Sequence, residues 1–220
     1  MLIEGSDLSM IYNLGEEYET YALRNVNIKL MAGEFVGIIG PSGSGKSSLL
    51  YILSGLKTPT MGTVYYQDID IESLSDIKRS ELRKNHFGFV FQRHFLIEYM
   101  TVFDNVLLAC NEIDSKRAKE KTAEQLERLN LNKISCKKPF QLSGGQRQKV
   151  AIARALINHP SIIFADEPTA SLDHEAARSV MDILEEQREE TTIVVVTHDR
   201  SILSNADRVI EMWDGYIKTT

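Results

Sequence analysis

The chain is poor in the features that mark several common protein classes. Its 220 residues hold only two cysteines, Cys110 and Cys136. They lack metal-ligand spacing and cannot form a disulfide framework, so they read as reduced thiols of a cytosolic protein. No apolar run approaches the roughly 18 residues that a membrane-crossing helix needs. Residues 1–7 lack the basic and apolar regions of a signal peptide. Basic side chains are in deficit, 25 Lys and Arg against 31 Asp and Glu, for a net charge of −6. That balance removes the electrostatic case for nucleic acid as a partner. There is no internal repeat and no low-complexity segment. What remains, 43% hydrophobic and 25% charged, is the composition of an ordinary globular protein. The length suits one large domain or one domain with an insertion.

Against this plain background one stretch stands out, Gly40-Pro41-Ser42-Gly43-Ser44-Gly45-Lys46-Ser47. It matches the phosphate-binding loop G-x-x-x-x-G-K-[ST]. The apolar, β-branched run 34–39 before it reads as a buried strand, and Ser48 to Leu53 after it as the start of a helix. Strand, glycine loop and helix together aim backbone N–H groups and a helix N-terminus at one point, where a polyphosphate fits. Lys46 is placed to reach the terminal phosphates and the Ser47 hydroxyl to bind Mg²⁺.

The rest of the chain alternates strands and helices, which argues a mostly parallel sheet covered on both faces. Residues 2–30 read as a hairpin or small antiparallel sheet with a polar turn at Asn13 to Glu19, joined by a strand at Gly62 to Gln67. A helix is expected over Ser75 to Lys84 and a buried strand over Phe87 to Phe91. Between Phe91 and Pro160 no strand-like run occurs. Helices are expected over Thr101–Cys110, Ser115–Leu129 and Gly144–Asn158, so this block reads as a helical insertion. Strands Ser161–Ala165 and Thr192–Thr197, a helix over 174–188, and a hairpin turning at Asp214-Gly215 complete the core.

Two further motifs carry chemistry. The apolar strand from Ser161 ends in Asp166 and Glu167, and two acids there must face the crevice where open α/β sheets bind ligands. Asp166 is placed to hold Mg²⁺ and Glu167 to act as general base on the attacking water. Leu142-Ser143-Gly144-Gly145-Gln146 opens a helix with Ser143 as N-cap, and its glycines let the backbone approach an anion. This is a second phosphate-binding device, on a different part of the molecule, and one chain cannot easily fold both onto one nucleotide.

The phosphate loop, Gln92, the 142–146 pentapeptide, Asp166-Glu167, Ser171-Leu172-Asp173 and His198 occur in the order and spacing of an ABC-transporter nucleotide-binding subunit. The resemblance covers essentially the whole chain. Within the family, Phe87 to Gln92 and Ala165 to Thr169 look like the macrolide-exporter and lipoprotein-release ATPases. The resemblance implies a RecA-like P-loop NTPase core, residues 1–91 and 160–220, with an antiparallel β-subdomain and a helical subdomain at 92–159. It implies ATP and Mg²⁺ as cofactors and ATP hydrolysis by a head-to-tail homodimer. Each ATP would lie between one subunit's loop, Ser48 included, and the other's Ser143-Gly144-Gly145-Gln146. It makes Tyr12 the aromatic that stacks on adenine, with Tyr18 and Tyr21 as substitutes. Gln92 would touch Mg²⁺ and the lytic water, His198 the γ-phosphate, and Asp173 the other subunit.

It also implies separate membrane permease subunits and a peripheral location on the cytoplasmic face of the membrane. Phe95 to Met100 is unusually apolar for a connecting loop, and two readings stand: a docking groove for a permease helix, or local core. Two other roles remain open, a mechanical or signalling ATPase acting through a membrane partner and a soluble non-transport ATPase. The chain departs from the family pattern at Ser48, Lys149 and Ala170, in residues 137–141, and in stopping at Thr220 without a regulatory extension. None of these removes a catalytic group.

Overall fold

The computed structural model describes residues 1–16 and 18–218. Glu17, within the expected turn at 13–19, and Thr219 and Thr220, at the end of the expected core segment, lie outside the described residues. The elements run β1 (Ile3–Tyr12), β2 (Thr20–Leu30), β3 (Phe35–Ile39), α1 (Lys46–Leu53), β4 (Met61–Tyr66), β5 (Ile69–Asp70), α2 (Asp76–His86) and β6 (Phe87–Phe91). They continue with α3 (Val102–Leu107), α4 (Ser115–Arg128), α5 (Gly144–Leu156), β7 (Ile162–Asp166), α6 (His174–Glu185), β8 (Thr192–Thr197), β9 (Arg208–Trp213) and β10 (Tyr216–Ile217).

The strands form two sheets. A four-stranded antiparallel sheet has the order β2-β1-β4-β5, and a six-stranded sheet has the order β10-β9-β3-β8-β7-β6. The latter is parallel apart from β10. Its central strands alternate in the period of two that a strand dictates. Val36, Ile38, Ile162, Phe164, Val194 and Val196 enter a core shared with α1 and the antiparallel sheet. Phe35, Ile163, Ala165, Ile193 and Val195 enter a second core with α3 to α6. Both faces are therefore apolar, which is why these strands read as unbroken hydrophobic runs rather than alternating ones.

Among the described residues no strand lies between β6 and β7. The intervening helices have no separate core: Val106, Leu126, Val150 and Leu156 belong to the same cluster as the sheet's second face. α3 is shorter than the spacing predicts. Thr101 caps it in a capping box with Asp104, but the chain then tightens, Ala109 and Cys110 donating to Val106 and Leu107. Leu108, 62% exposed, has no core to bury against. α6 stops three residues early, where Gln187 and Arg188 make three-residue bonds to Leu184 and Glu185. The closing hairpin turns where expected, Asp214 and Gly215 both having positive φ, the combination of a type I′ turn. β9, which precedes it, is also a full member of the central sheet beside β3.

Register explains the site. Ile39 is level with Thr197, Val196 with Asp166, and Asp166 with Phe91. Four parallel strands thus end along one edge, and each hands the chain directly to a residue singled out in the sequence: Gly40, His198, Glu167 and Gln92.

Candidate functional site

Gly45, with φ +97°, closes the phosphate loop against β2; a Cβ there would lie 2.1 Å from the Ala22 carbonyl oxygen. Only glycine meets both demands. Inside the loop the Ser44 side chain is buried and its hydroxyl has no partner among the described residues. Lys46 is buried too, and its ammonium donates to the carbonyls of Gly40 and Pro41, both at 2.9 Å. Burial pulls the Lys46 pKa below the ordinary lysine value, against the opposing pull of Glu167 and Asp166. α1 starts at Lys46 with no side-chain cap and no acid in its first turn. Its leading N–H groups are left to an anion.

Asp166 is buried at the end of β7 and accepts two hydroxyl bonds, from Ser47 Oγ at 2.9 Å and Tyr51 Oη at 2.7 Å. Burial, then the Asp166 bond and charge, hold the Tyr51 phenol far above its usual range. Glu167 adopts left-handed φ, +49°, a conformation costing about 1–3 kcal/mol in a residue of this size. Its N–H donates to the Val196 carbonyl. Its carboxylate oxygens stand 3.0 and 3.1 Å from His198 Nδ1.

Gly45, Lys46, Ser47, Glu167 and His198 line a cleft of about 500 Å³ together with Tyr12, Tyr21, Ser42, Gly43, Ser48 and Gln92, and Asp166 lies behind it, bonded to Ser47. The Tyr12 hydroxyl lies 3.0 Å from Ser48 Oγ and accepts from Lys57 Nζ at 3.0 Å. The Lys57 ammonium also sits over the Tyr12 ring, 4.5 Å from its centre. Burial raises the Tyr12 pKa, but the Ser48 and Lys57 bonds and the Lys57 charge outweigh it, and the net shift is downward. Of the two substitutes, Tyr21 lines the cleft and Tyr18 does not.

The other expected site residues are not among those lining this cleft. Ser143 and Gln146 cap α5 reciprocally. A Cβ on Gly145 would lie 2.9 Å from the Ala176 Cβ, so the start of α5 presses on α6. Asp173 caps α6 by accepting from the Ala176 N–H at 2.8 Å. The two devices for phosphate are thus separate within one chain.

Phe95 to Met100 divides between the two readings it allows. Phe95 and Tyr99 are 62% and 75% exposed, while Leu96 packs on the second core. The buried side chain of Asn105 holds the stretch, bonding to Ile97, Met100 and Thr101. Arg154 of α5 donates to the carbonyls of Phe95 and His94, at 2.6 and 2.8 Å. Burial lowers the pKa of that guanidinium. Arg154 also lines a groove of about 440 Å³ together with Phe89, Phe91, Arg83 and Lys84.

Sequence reasoning missed Tyr51, Lys57 and Ala22. Tyr51 had a signal, lying four residues after Ser47 and so on the same helix face. Ala22 had none, because its carbonyl meets Gly45 only through the tertiary fold.

Comparison with known proteins agrees with this geometry. The family model described as ABC transporter matches residues 23–170, more than half of the chain. A second model, described as an AAA domain and putative AbiEii toxin of a type IV toxin–antitoxin system, matches only residues 137–204. An uncharacterized ABC transporter ATP-binding protein, MJ1508 of Methanocaldococcus jannaschii, is 44% identical over 98% of this chain and 97% of its own. The lipoprotein-releasing system ATP-binding protein LolD of Hydrogenovibrio crunogenus is 39% identical over 98% and 95%. A solved dimeric structure of the ATP-binding cassette MJ0796, in a post-hydrolysis state with ADP and phosphate, superposes with a TM-score of 0.90. It is 38% identical and covers 99% of this chain and 97% of that one. The chain belongs to the ABC transporter family, as one of its ATP-binding subunits.

Proposed function

We propose that the cleft binds ATP with Mg²⁺ and hydrolyses it, one subunit supplying the phosphate loop and a second copy the Ser143–Gln146 helix start. The observation that carries this is the meeting of Lys46, Asp166, Glu167, His198 and Gln92 along one sheet edge. The buried, unpartnered Ser44 hydroxyl and the open N–H groups of α1 suit a phosphate. The Ser47 hydroxyl beside the Asp166 carboxylate suits a hard divalent cation that keeps waters and phosphate oxygens as its other ligands. Ser47, Asp166 and Gln92 would hold Mg²⁺, which when bound neutralises charge on the terminal phosphates.

Lys46 would turn from the Gly40 and Pro41 carbonyls to the phosphates. Glu167 accepts a proton from the attacking water, and His198, fixed against it, donates to the γ-phosphate oxygen. Tyr12 stacks on the base after releasing Ser48. Gly40 to Ser48, Ser143 to Gln146 and Asp173 are the nucleotide contacts of the closed dimer, a fit to the dimeric form in which MJ0796 was solved.

The helical block 92–159 would then move against the core formed by 1–91 and 160–220. Phe95 to Met100 and the neighbouring groove would pass that motion to membrane permease subunits, with the chain peripheral on the cytoplasmic face. No helix among the described residues is long and apolar enough to cross a membrane itself. The test is Mg²⁺-dependent phosphate release by the purified chain. It should vanish in Lys46→Ala and lose its metal dependence in Asp166→Asn, and release that survives both changes would overturn the reading.

A further inference from the structure

We propose that Tyr51 is a positioning residue for the metal-binding carboxylate, its hydroxyl aiming Asp166 at the cation; this rests on the reading of Asp166 as a Mg²⁺ ligand. The two Asp166 oxygens are held by two hydroxyls from one face of α1, Oδ1 by Ser47 and Oδ2 by Tyr51 one turn later. Among the described residues no cationic side chain pairs with this carboxylate. The two bonds have different fates. A cation bound by both Ser47 and Oδ1 takes over the first bond, because a hydroxyl lone pair and a carboxylate oxygen then face the metal instead of each other. Only the Tyr51 bond then fixes the rotation of the Asp166 carboxylate.

Tyr51 is built to keep that aim. Its backbone lies within α1, which starts in the phosphate loop, so loop and carboxylate are referred to the same helix. Its ring leans on Phe91, centroids 6.3 Å apart, and Phe91 is level with Asp166 on the neighbouring strand. Among the described residues its hydroxyl makes this one bond, at 2.7 Å, in a partly buried setting. Hydrogen-bond partners that orient a metal ligand matter to the metal: removing one typically costs 10–100-fold in metal affinity.

The experiment reads binding without turnover, in a Glu167→Gln background. A fluorescent ATP analogue is titrated against the chain once in EDTA and once in saturating Mg²⁺, and the ratio of affinities is the gain due to metal. Tyr51→Phe keeps the ring against Phe91 and removes only the hydroxyl. It should leave the EDTA affinity within about twofold and cut the metal-dependent gain by at least about tenfold. Tyr51→Leu should show the same loss, since it too lacks the hydroxyl. A purely packing role predicts the opposite pattern, a normal gain in Tyr51→Phe with a defect only in Tyr51→Leu, and would overturn the proposal. Asp166→Asn is the control that separates the premises. If it abolishes the gain while Tyr51→Phe does not reduce it, Tyr51 alone is wrongly assigned. If Asp166→Asn keeps the gain, the metal reading of Asp166 fails and the proposal falls with it.

Discussion

His198 Nδ1 lies 3.0 Å from one oxygen of the Glu167 carboxylate and 3.1 Å from the other. The contact follows from two facts of the backbone. Strands β7 and β8 are neighbours with Asp166 level with Val196, so the residues after them emerge side by side. Left-handed φ at Glu167 then turns its side chain across instead of along the strand. A base held this way should be sensitive to its chemistry and not to its shape. Glu167→Gln, nearly isosteric but unable to accept the water's proton, should lose about 10²–10⁴-fold in turnover while still binding ATP. Single-turnover hydrolysis checks this, and a rate within threefold of the parent would remove Glu167 from the role.

How much of this was readable beforehand depends on the range of each interaction. The phosphate loop, the Ser143 cap and the Asp214-Gly215 turn are local, so residue types and spacing sufficed. The edge shared by Gly40, Gln92, Glu167 and His198 was implied once the strands were taken as parallel. The separation of α5 and its Ser143 cap from the cleft followed from their place in the helical block. Three things needed tertiary contacts: the Ala22 carbonyl against Gly45, the Tyr51 bond to Asp166, and Lys57 over Tyr12. The short α3 also escaped, because helical periodicity cannot register where the core ends.

The Ala22 contact yields a prediction. Gly45→Ala meets both an unfavourable φ and a backbone oxygen 2.1 Å from the new Cβ. Backbone, unlike a flexible side chain, cannot step aside, so the loop itself must open. Nucleotide affinity should fall by about 5- to 150-fold even if the chain stays folded, as a backbone-strain cost of about 1–3 kcal/mol at such a site implies. Equilibrium binding in EDTA measures it without interference from metal.

Lys46 gives a pH dependence with a definite sign. Its folded-state pKa is lowered by burial from a reference of 10.5. In the window between the lowered value and 10.5 the unfolded chain binds more protons than the folded one, so folding is favoured as pH rises. The burdened, charged state prevails below that window. The stability of the nucleotide-free chain relative to Lys46→Met should therefore improve from neutral pH towards pH 10. Paired urea denaturation curves at the two pH values test this, and the other titrating groups cancel in the difference. A relative stability that stays flat or falls as the pH rises would contradict the shift.

Phe95 and Leu96 should behave differently although adjacent. Phe95 is exposed at positive φ, a backbone conformation that aspartate tolerates better than most residues. Phe95→Asp should change stability by no more than about 0.5 kcal/mol, as surface substitutions usually do. Leu96→Asp places a charge against the second core and should cost several kcal/mol. Melting temperatures separate the two. A permease that co-purifies with the parent chain should be lost with Phe95→Asp at unchanged melting temperature.

The separation of the two phosphate devices leads to the last prediction, that they meet only across a dimer. The loop sits on the sheet edge, while Ser143 caps a helix whose first turn packs on α6 and does not line the cleft. A contact between the two devices repeated by a two-fold axis makes an isologous interface, which closes into a dimer with two equivalent sites. Ser42 and Ser143 are both exposed and accept a cysteine, whereas Ser44 is buried and would hide one. Cys110 and Cys136 are first replaced by serine, since Cys136 is exposed and would react. Ser42→Cys and Ser143→Cys are then made in separate preparations, each with Glu167→Gln to hold ATP unhydrolysed. Neither preparation alone should cross-link efficiently with a short bifunctional thiol reagent, because its two cysteines lie at opposite sites. Mixed with ATP, the cysteine at position 42 of one subunit faces the cysteine at position 143 of the other across one nucleotide, and a covalent dimer should form. ADP lacks the γ-phosphate that both devices would hold, so the yield should drop sharply with it. Equal cross-linking with ATP, with ADP and without nucleotide, or none in the mixture, would refute a shared site.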